Sequence, residues 1–542
     1  MHHFIRILSL TATIGLFSFQ ALAQQVSFQD TIARIDKLFE NWNTDTPGGV
    51  LTVSRKGQII YNKAFGMADL EHHIANTTET IFEAGSVSKQ FTTTAIFLLA
   101  MEGKLSLDDE VRKYVPELPD YGDKLTIRHM IHHISGLRDW GSVASISGWG
   151  RGVRTHTHAH ALEILSKQKA LNFKPGDQYS YCNSGYNLMA IVVDRVSGMP
   201  FAEFCKQRIF EPMGMSNTQW RDDYRKIVHN RSIAYSRSNG AYLQDMPFEM
   251  VYGNGGLLTT TADLVKWNTH YKNPVIGGEK LVNMQMQQGK LNNNVIISYA
   301  GGIVINHYNN FTEINHSGAT AGYRAWLAYY IEPDISIAFL SNEGNANPGR
   351  IGAEVAEIFL GERENDEPML GTIVPDEKSL QAKTGLYRCL RNDDIMELEV
   401  KDKLLQVKNG QILQATKENT FFQGSTRMEF SNNKFIMYTS NGDSATYVKK
   451  EPFKPSEKDL QLFTGTYNSD EADAIFTFDI KDGKLRGFRS PDTYFFLTPL
   501  YRDTFRTNNG ALVEFKRDKA NKINGFGYSI SRASNVIFDK IK

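Results

Sequence analysis

Cysteine is scarce: Cys182, Cys205 and Cys389 are the only three among 542 residues. An odd and sparse set excludes a disulfide framework, and Cys182 reads as small buried packing rather than a catalytic thiol. Net charge is absent too, because 60 basic residues cancel 60 acidic ones. Nothing global therefore draws the chain to nucleic acid or to an anionic membrane, and the expected partner is a small molecule or a peptide, cell-wall-derived material included. Beyond the N-terminus no run approaches ~20 uninterrupted apolar residues, which excludes a membrane-spanning helix from the mature chain.

Residues 1–23 read as a secretory signal. His2, His3 and Arg6 precede the apolar Ile7 to Phe19, and Ala21-Leu22-Ala23 supplies a small-x-small cleavage site. No cysteine follows the cut, so a lipid anchor is not expected there. The mature protein is expected in the periplasm or outside the cell. Its length exceeds the ~250 to 300 residues of one core, so several domains are expected: a catalytic domain at 24–360, a Glu/Asp/Gly/Pro-rich linker at 361–378, and two modules at 379–455 and 456–542.

The two modules follow from an internal repeat. Leu380-Gln381-Ala382-Lys383-Thr384-Gly385-Leu386-Tyr387 matches Leu460-Gln461-Leu462-Phe463-Thr464-Gly465-Thr466-Tyr467, and Lys401-Asp402 matches Lys481-Asp482 at the same 80-residue offset. Matches in one order indicate two copies of one all-β unit. Roughly 80 residues with strands every 8 to 12 suit a small antiparallel barrel.

Within 24–360, Ile32, Ile35, Leu38, Phe39 and Trp42 have helical spacing. Val50–Val53 and Ile59–Tyr61 flank a turn and read as a hairpin, Leu125–Leu137 reads as a short helix stopped at Gly136, and 325–340 reads as paired strands. The Gly- and Ser-rich stretch from Asp139 to Thr157 reads as a loop on a cleft rim.

Chemistry concentrates in three places. Phe82-Glu83-Ala84-Gly85-Ser86-Val87-Ser88-Lys89 opens an uncharged run, Phe91 to Met101. A helix from Ser86 onward puts Ser86 and Lys89 one turn apart on one face. A serine hydroxyl needs a base, and Lys89 serves only when neutral, which requires burial or a neighbouring cation. The same pattern at Ser166-Lys167-Gln168-Lys169 lies on a polar face and reads as an exposed helix. Second is Tyr181-Cys182-Asn183, between the turn Lys174-Pro175-Gly176-Asp177 and an apolar helix at Asn187–Val196. A phenol relays protons and an amide both holds the lysine and donates to a substrate carbonyl; Tyr252-Gly253-Asn254, Tyr271-Lys272-Asn273 and Tyr308-Asn309-Asn310 share the spacing without the surroundings. Third is His316-Ser317-Gly318, before a strand-like stretch. The histidine can donate to substrate or to Tyr181, and Gly318 permits close approach of a substrate backbone. Backbone N–H groups of Ser86 and Ala319 then suit an oxyanion, each well-aimed donor being worth roughly 3 to 4 kcal/mol.

Together, and in that order, these motifs resemble the serine β-lactamase and penicillin-binding protein superfamily, most closely its class C and D-peptidase or esterase branch. Thr80-Ile81-Phe82, His133-Ile134-Ser135-Gly136-Leu137 and Lys174-Pro175-Gly176 extend the resemblance over about Phe28 to Leu360. It implies an α+β fold, a sandwich of helices on an antiparallel sheet, with Ser86 acylated and Lys89 and Tyr181 as shared bases. It also implies Asn183, His316, Gly318, Ser86 and Ala319 around the substrate, with no cofactor and no metal. His316 stands where many relatives carry a carboxylate-binding lysine, which weakens that recognition. His-x-Gly and a two-barrel tail are similar to D-aminopeptidases and esterases, so an exported hydrolase of a small peptide, amide or ester is expected, with β-lactamase or D-Ala-D-Ala carboxypeptidase as the alternative. Arg324 is a candidate substitute for the missing lysine.

Two other classes compete. His129, His132, His133, His156, His158 and His160 cluster in sequence, and an alternating strand at 156–160 would put three imidazoles on one side, as a metal hydrolase requires. No His-Glu-x-x-His and no acidic ligand accompany them. A non-catalytic peptidoglycan-binding receptor is the third class, against which the intact Ser86, Lys89 and Tyr181 argue.

Overall fold

The computed structural model describes residues 29–363, 373–439, 442–489 and 493–541. The stretch expected as a signal sequence, 1–23, and half of the stretch expected as a linker, 361–378, lie outside the described residues. The last two linker positions already belong to a helix, Glu377–Ala382.

The catalytic domain is built on a six-stranded antiparallel sheet. Its strands are β1 (Gly49–Arg55), β2 (Gln58–Phe65), β3 (Val304–Tyr308), β4 (Phe311–Thr320), β5 (Tyr323–Tyr330) and β6 (Ile335–Ser341), in the spatial order β3-β4-β5-β6-β1-β2. Chain ends meet in the middle: β1 pairs with β6, Leu51 opposite Phe339. Both faces are covered, and alternation along β1 sorts the residues between them. Leu51 and Val53 join Ile35, Phe339, Ile351 and Val355 under the first helix and the helix Pro348–Leu360. On the other face Val50 joins the largest core, and Thr52 hydrogen-bonds Thr261 on the helix Thr261–Thr269.

That larger core surrounds the helix Lys89–Met101. Phe91, Ala95, Ile96 and Leu99 are fully buried on every side of it, which is the behaviour of a helix apolar all round. Its threonines tie it to the surrounding chain, Thr92 donating to the carbonyl of Gly253 and Thr93 to that of Gly301. Ser86, expected within the helix, lies on a 3₁₀ turn, Gly85–Ser88, that runs directly into it. The stretch from Asp139 to Thr157, expected as loop, contains a helix, Trp140–Ile146, started by the Asp139 carboxylate accepting from the N–H groups of Gly141 and Ser142. Nor is 156–160 a strand: Thr157 caps a helix, His158–Ser166. An aspartate and a threonine at N-cap positions were the signals for both.

After the linker come two eight-stranded antiparallel barrels. In the first, eight strands between Gly385 and Lys450 form one ladder whose end strands are Leu404–Val407 and Gln414–Lys417, and a lone bridge, Gln406–Ile412, stands near that open edge. In the second, it closes completely. The 80-residue repeat survives in atomic detail. Tyr387 donates to the carbonyl of Lys383 and Tyr467 to that of Phe463, both at 3.0 Å. Each tyrosine is wholly buried, so each repeat pins its opening turn to its first strand through one enclosed hydroxyl.

The second barrel packs on the catalytic domain through a buried ion pair. Arg138 and Glu471 side chains are each 1% exposed. Arg138 also donates to the carbonyls of Ser534 and Asn535 and to Gln168, while Glu471 accepts from the Lys169 N–H. The second Ser-x-x-Lys match, Ser166 to Lys169, therefore lies at this seam, where Gln168 is also tied to the Glu471 carbonyl. Breaking a buried pair strands a charge. Arg138→Ala is expected to lower stability by about 3–5 kcal/mol, and the double variant Arg138→Met, Glu471→Leu to recover most of it, as read by urea unfolding.

Candidate active site

Two glycines bring the nucleophile turn against the sheet. Gly85 has φ +51°, and a Cβ there would lie 2.6 Å from the Ala319 nitrogen; a Cβ on Gly318 would lie 2.1 Å from the Ala84 carbonyl oxygen. Only glycine at both positions allows that contact. β3 covers β4 as far as Asn315, so residues 316–320 present an edge unpaired by strand, and the Gly85–Ser88 turn occupies it. His316-Ser317-Gly318 is thus the interior of β4 rather than a turn before a strand. Ser86 stands at the first turn of a helical segment, where N–H groups lack partners within the helix. Ser86 and Ala319 both border one cleft, the placement an oxyanion site requires of the residues that supply its donors.

Lys89 is fully buried. Its Nζ is 3.1 Å from Ser86 Oγ, 3.1 Å from Asn183 Oδ1 and 2.6 Å from the Asn254 carbonyl oxygen. Burial, and next the positive charges of Arg532 and Arg151, hold its pKa well below the usual lysine value. In the neutral amine two N–H groups satisfy the two carbonyl oxygens, leaving the lone pair for the Ser86 hydroxyl proton. Three segments distant in sequence therefore make one proton acceptor.

Tyr181 packs its ring 4.8 Å from Lys89 Nζ. Burial raises its pKa, and a hydrogen bond with Ser86 only partly opposes this, so the phenol is protonated and works as a donor. Its backbone is fixed on both sides. Cys182 N–H donates to His133 Nδ1, and Asn183 N–H donates to Asp139. Cys182 itself is buried, its thiol hydrogen-bonded to the Leu137 carbonyl and pushed up to about 12 by burial, consistent with packing rather than chemistry.

His316 lines the cleft with both ring nitrogens occupied. Nδ1 faces the Ser317 carbonyl at 2.6 Å, so Nδ1 carries the proton, and Nε2 then accepts from the Tyr299 hydroxyl at 3.1 Å. Burial lowers its pKa to about 4. It is a neutral wall of the site, its rings and those of Tyr181 and Tyr299 in contact. Arg324 also borders the cleft, donating through one nitrogen to the carbonyls of Ala321 and Tyr323.

The cleft has a volume of about 700 Å³ and is bordered by Ser86, Tyr181, Asn183, His316, Gly318 and Ala319 together. A larger concavity, about 920 Å³, lies around Phe210 and Trp220 and contains none of these groups. The clustered histidines do not converge. His129 and His160 each accept at Nδ1 from the N–H of a helix-capping threonine, His132 and His156 meet the carbonyls of Gln287 and Trp149, and His158 accepts from the Tyr252 N–H. Among the described residues the set with metal-binding spacing is Asp69, Glu71 and His72, elsewhere on the surface.

Sequence reasoning missed Asn254, Asp139, Tyr299 and Arg532. Asn254 lay in a Tyr-x-Asn match set aside for its surroundings, yet its carbonyl holds Lys89 and its side chain accepts from Asn187. Arg532 had no motif around it; it reaches the cleft from the second barrel.

Comparison with known proteins agrees with this geometry. The β-lactamase family model matches residues 28–360. A penicillin-binding protein of Bacillus subtilis (strain 168) is 28% identical over 323 residues, covering 54% of this chain and 68% of that one. The D-aminopeptidase of Brucella anthropi is 26% identical over 348 residues, 62% of this chain and 65% of the relative, so just under two thirds of that protein is matched. Among solved structures, an octameric penicillin-binding protein homologue from Pyrococcus abyssi has a TM-score of 0.53 at 22% identity, over 86% of this chain and 98% of that one. The D-amino acid amidase of Ochrobactrum anthropi SV3 has a TM-score of 0.51 at 18% identity, over 61% and 98%. At these identities the structures speak for the fold alone, while the family match covers well over half of the chain, and the chain belongs to the β-lactamase family of serine hydrolases.

Proposed function

We propose that the protein is an exported hydrolase that cleaves small amides, peptides or esters through an acyl-enzyme on Ser86, in the manner of D-aminopeptidases and esterases. The observation that carries this reading is the buried Lys89 amine 3.1 Å from Ser86 Oγ, its pKa held well below the usual lysine value by burial. Export rests on the sequence of residues 1–23. Among the described residues no helix is long and apolar enough to cross a membrane.

The chemistry follows from the protonation states. As Ser86 Oγ attacks the substrate carbonyl, its proton passes to the Lys89 lone pair, and the developing oxyanion faces the N–H groups of Ser86 and Ala319. Tyr181, a protonated phenol beside Ser86 with its ring against Lys89 Nζ, gives its proton to the leaving nitrogen or oxygen as the carbonyl bond to it breaks. Lys89 then returns a proton to Tyr181. Water attacks the acyl-enzyme by the reverse relay, the acid departs and Ser86 regains its hydrogen. Neutral His316 does not enter this relay; it closes the wall beside it.

Ser86→Ala is expected to lose covalent labelling by a fluorophosphonate while keeping its fold by circular dichroism, and EDTA is expected to leave wild-type activity intact. A fully active Ser86→Ala protein would refute the acyl-enzyme. Tyr181→Phe is expected to lose 10²- to 10⁴-fold in kcat, roughly the contribution of one proton-transfer group. Rates on D-Ala-p-nitroanilide, p-nitrophenyl acetate and nitrocefin separate amidase, esterase and β-lactamase activity.

The pH profile has a defined sign. Activity requires neutral Lys89, so kcat/KM is expected to rise with pH through an inflection far below ordinary lysine. Arg151 is one of the cations that depress Lys89, so Arg151→Gln is expected to move that inflection to higher pH.

A further inference from the structure

The second barrel contributes a residue to the catalytic cleft. Its last two strands, β7 (Ile523–Ile530) and β8 (Ala533–Lys540), are joined by the turn Ser531-Arg532, and Arg532 borders the same cleft as Ser86. The Arg532 guanidinium lies 4.9 Å from the centre of the Tyr181 ring.

The turn is held there. The Arg532 carbonyl accepts from the Asp139 N–H at 3.1 Å and from the Asn172 amide at 3.0 Å, and the Ser534 N–H donates back to Asn172 at 2.8 Å. Arg138, the residue just before Asp139, holds the same hairpin by donating to the carbonyls of Ser534 and Asn535 while paired with Glu471. Asp139 also accepts from Asn183 N–H, so the segment that positions Asn183 positions Arg532.

The other charges of the cleft are compensated differently. Arg221 is paired with Glu83 and Arg151 with Glu249. Arg532 has no carboxylate within ion-pair distance among the described residues, and Arg324 meets only backbone carbonyls. The cleft thus carries two guanidinium groups without acidic partners, one on each side of the catalytic serine's domain boundary, and its one bordering acid, Glu83, is already taken by Arg221. A substrate with a free ammonium group meets an excess of like charge here; a carboxylate meets a planar donor fork free to bind it.

We infer that Arg532, carried into the cleft by the second barrel, binds a carboxylate of the substrate, making this enzyme selective for acidic substrates over those with a free ammonium group. The inference rests on the acyl-enzyme reading above and narrows its substrate class, placing substrates with a carboxylate ahead of the free D-aminoacyl amides that an aminopeptidase takes. It assigns to a barrel residue the recognition that His316, neutral and internally bonded, does not supply. Arg532 is also a cation that depresses Lys89, so its contribution to binding is to be read on the alkaline plateau of the pH profile.

The test uses the full-length protein and two matched pairs. N-succinyl- and N-acetyl-D-alanyl-p-nitroanilide differ by a carboxylate on the acyl part; N-acetyl-D-alanyl-D-alanine and its C-terminal amide differ by one on the leaving part. Wild type is expected to prefer the acidic member of one pair at least tenfold in kcat/KM, chiefly through KM, and that pair identifies where the carboxylate sits. Arg532→Gln is expected to cut this preference at least tenfold, and Arg532→Lys to keep part of it. If neither pair is turned over, the same comparison is read as protection of Ser86 from fluorophosphonate labelling. A preference absent in wild type, or unmoved by Arg532→Gln, overturns the inference. Failure of Ser86 to label at all would instead overturn the acyl-enzyme, so the two failures are distinguishable.

Discussion

A lysine amine taken out of water is the constraint on which the rest of the structure depends. Ammonium is among the costliest groups to bury without a counter-charge, and Lys89 touches none: it meets a serine hydroxyl and two carbonyl oxygens, and the Asp139 charge acts on it less than burial and the cations of Arg532 and Arg151. The fold meets this cost by lowering the pKa of the amine, which favours its neutral form. That outcome needs the apolar helix beneath it, the Asn183 and Asn254 acceptors that engage its two hydrogens, and cations nearby. Remove the burial and the group becomes an ordinary surface lysine beside an ordinary serine.

The supporting structure is arranged to keep that geometry rigid. Gly85 and Gly318 let the nucleophile turn and β4 touch at distances no side chain would permit. His133, at a positive φ of 57°, receives the Cys182 N–H on one ring nitrogen and packs its face 4.1 Å from the Tyr181 ring. Asp139 does two jobs with one carboxylate, starting the helix Trp140–Ile146 and fixing Asn183. The site is therefore held by backbone contacts to residues whose own conformations are already determined, which is how preorganised sites avoid reorganising during reaction.

The legible parts of this arrangement were those written in local pattern. Ser86 and Lys89 announced themselves because an uncharged helix follows them, and the barrels because a repeat at constant offset preserves Gly385 with Gly465 and Tyr387 with Tyr467. What could not be read had no local pattern. Asn254 acts through its carbonyl, which every residue possesses. Two of the six clustered histidines, His129 and His160, are partners of capping threonines, a role in which histidine replaces the customary glutamate or glutamine, so their density in sequence resembled a metal site while serving helix starts. The helix at Trp140–Ile146 was hidden among glycines and serines because its stability comes from burial and its Asp139 cap rather than from propensity.

The catalytic domain and the second barrel share one boundary, and its location has a chemical consequence. The Arg138–Glu471 pair is deeply buried, and such pairs are poor sources of net stability compared with apolar packing. Their advantage is geometric: a guanidinium that donates simultaneously to Glu471, Gln168 and the Ser534 and Asn535 carbonyls admits one docking orientation. That orientation is the one that brings the β7–β8 turn over Tyr181. A barrel packed by hydrophobic contact alone would tolerate small rotations, and a shift of a few ångströms at the tip of a hairpin would carry Arg532 out of the cleft. The polar seam thus sets the register between Ser86, Lys89 and Tyr181 on one domain and the cation on the other, so a residue some 450 positions from Ser86 in sequence borders the same 700 Å³ of space.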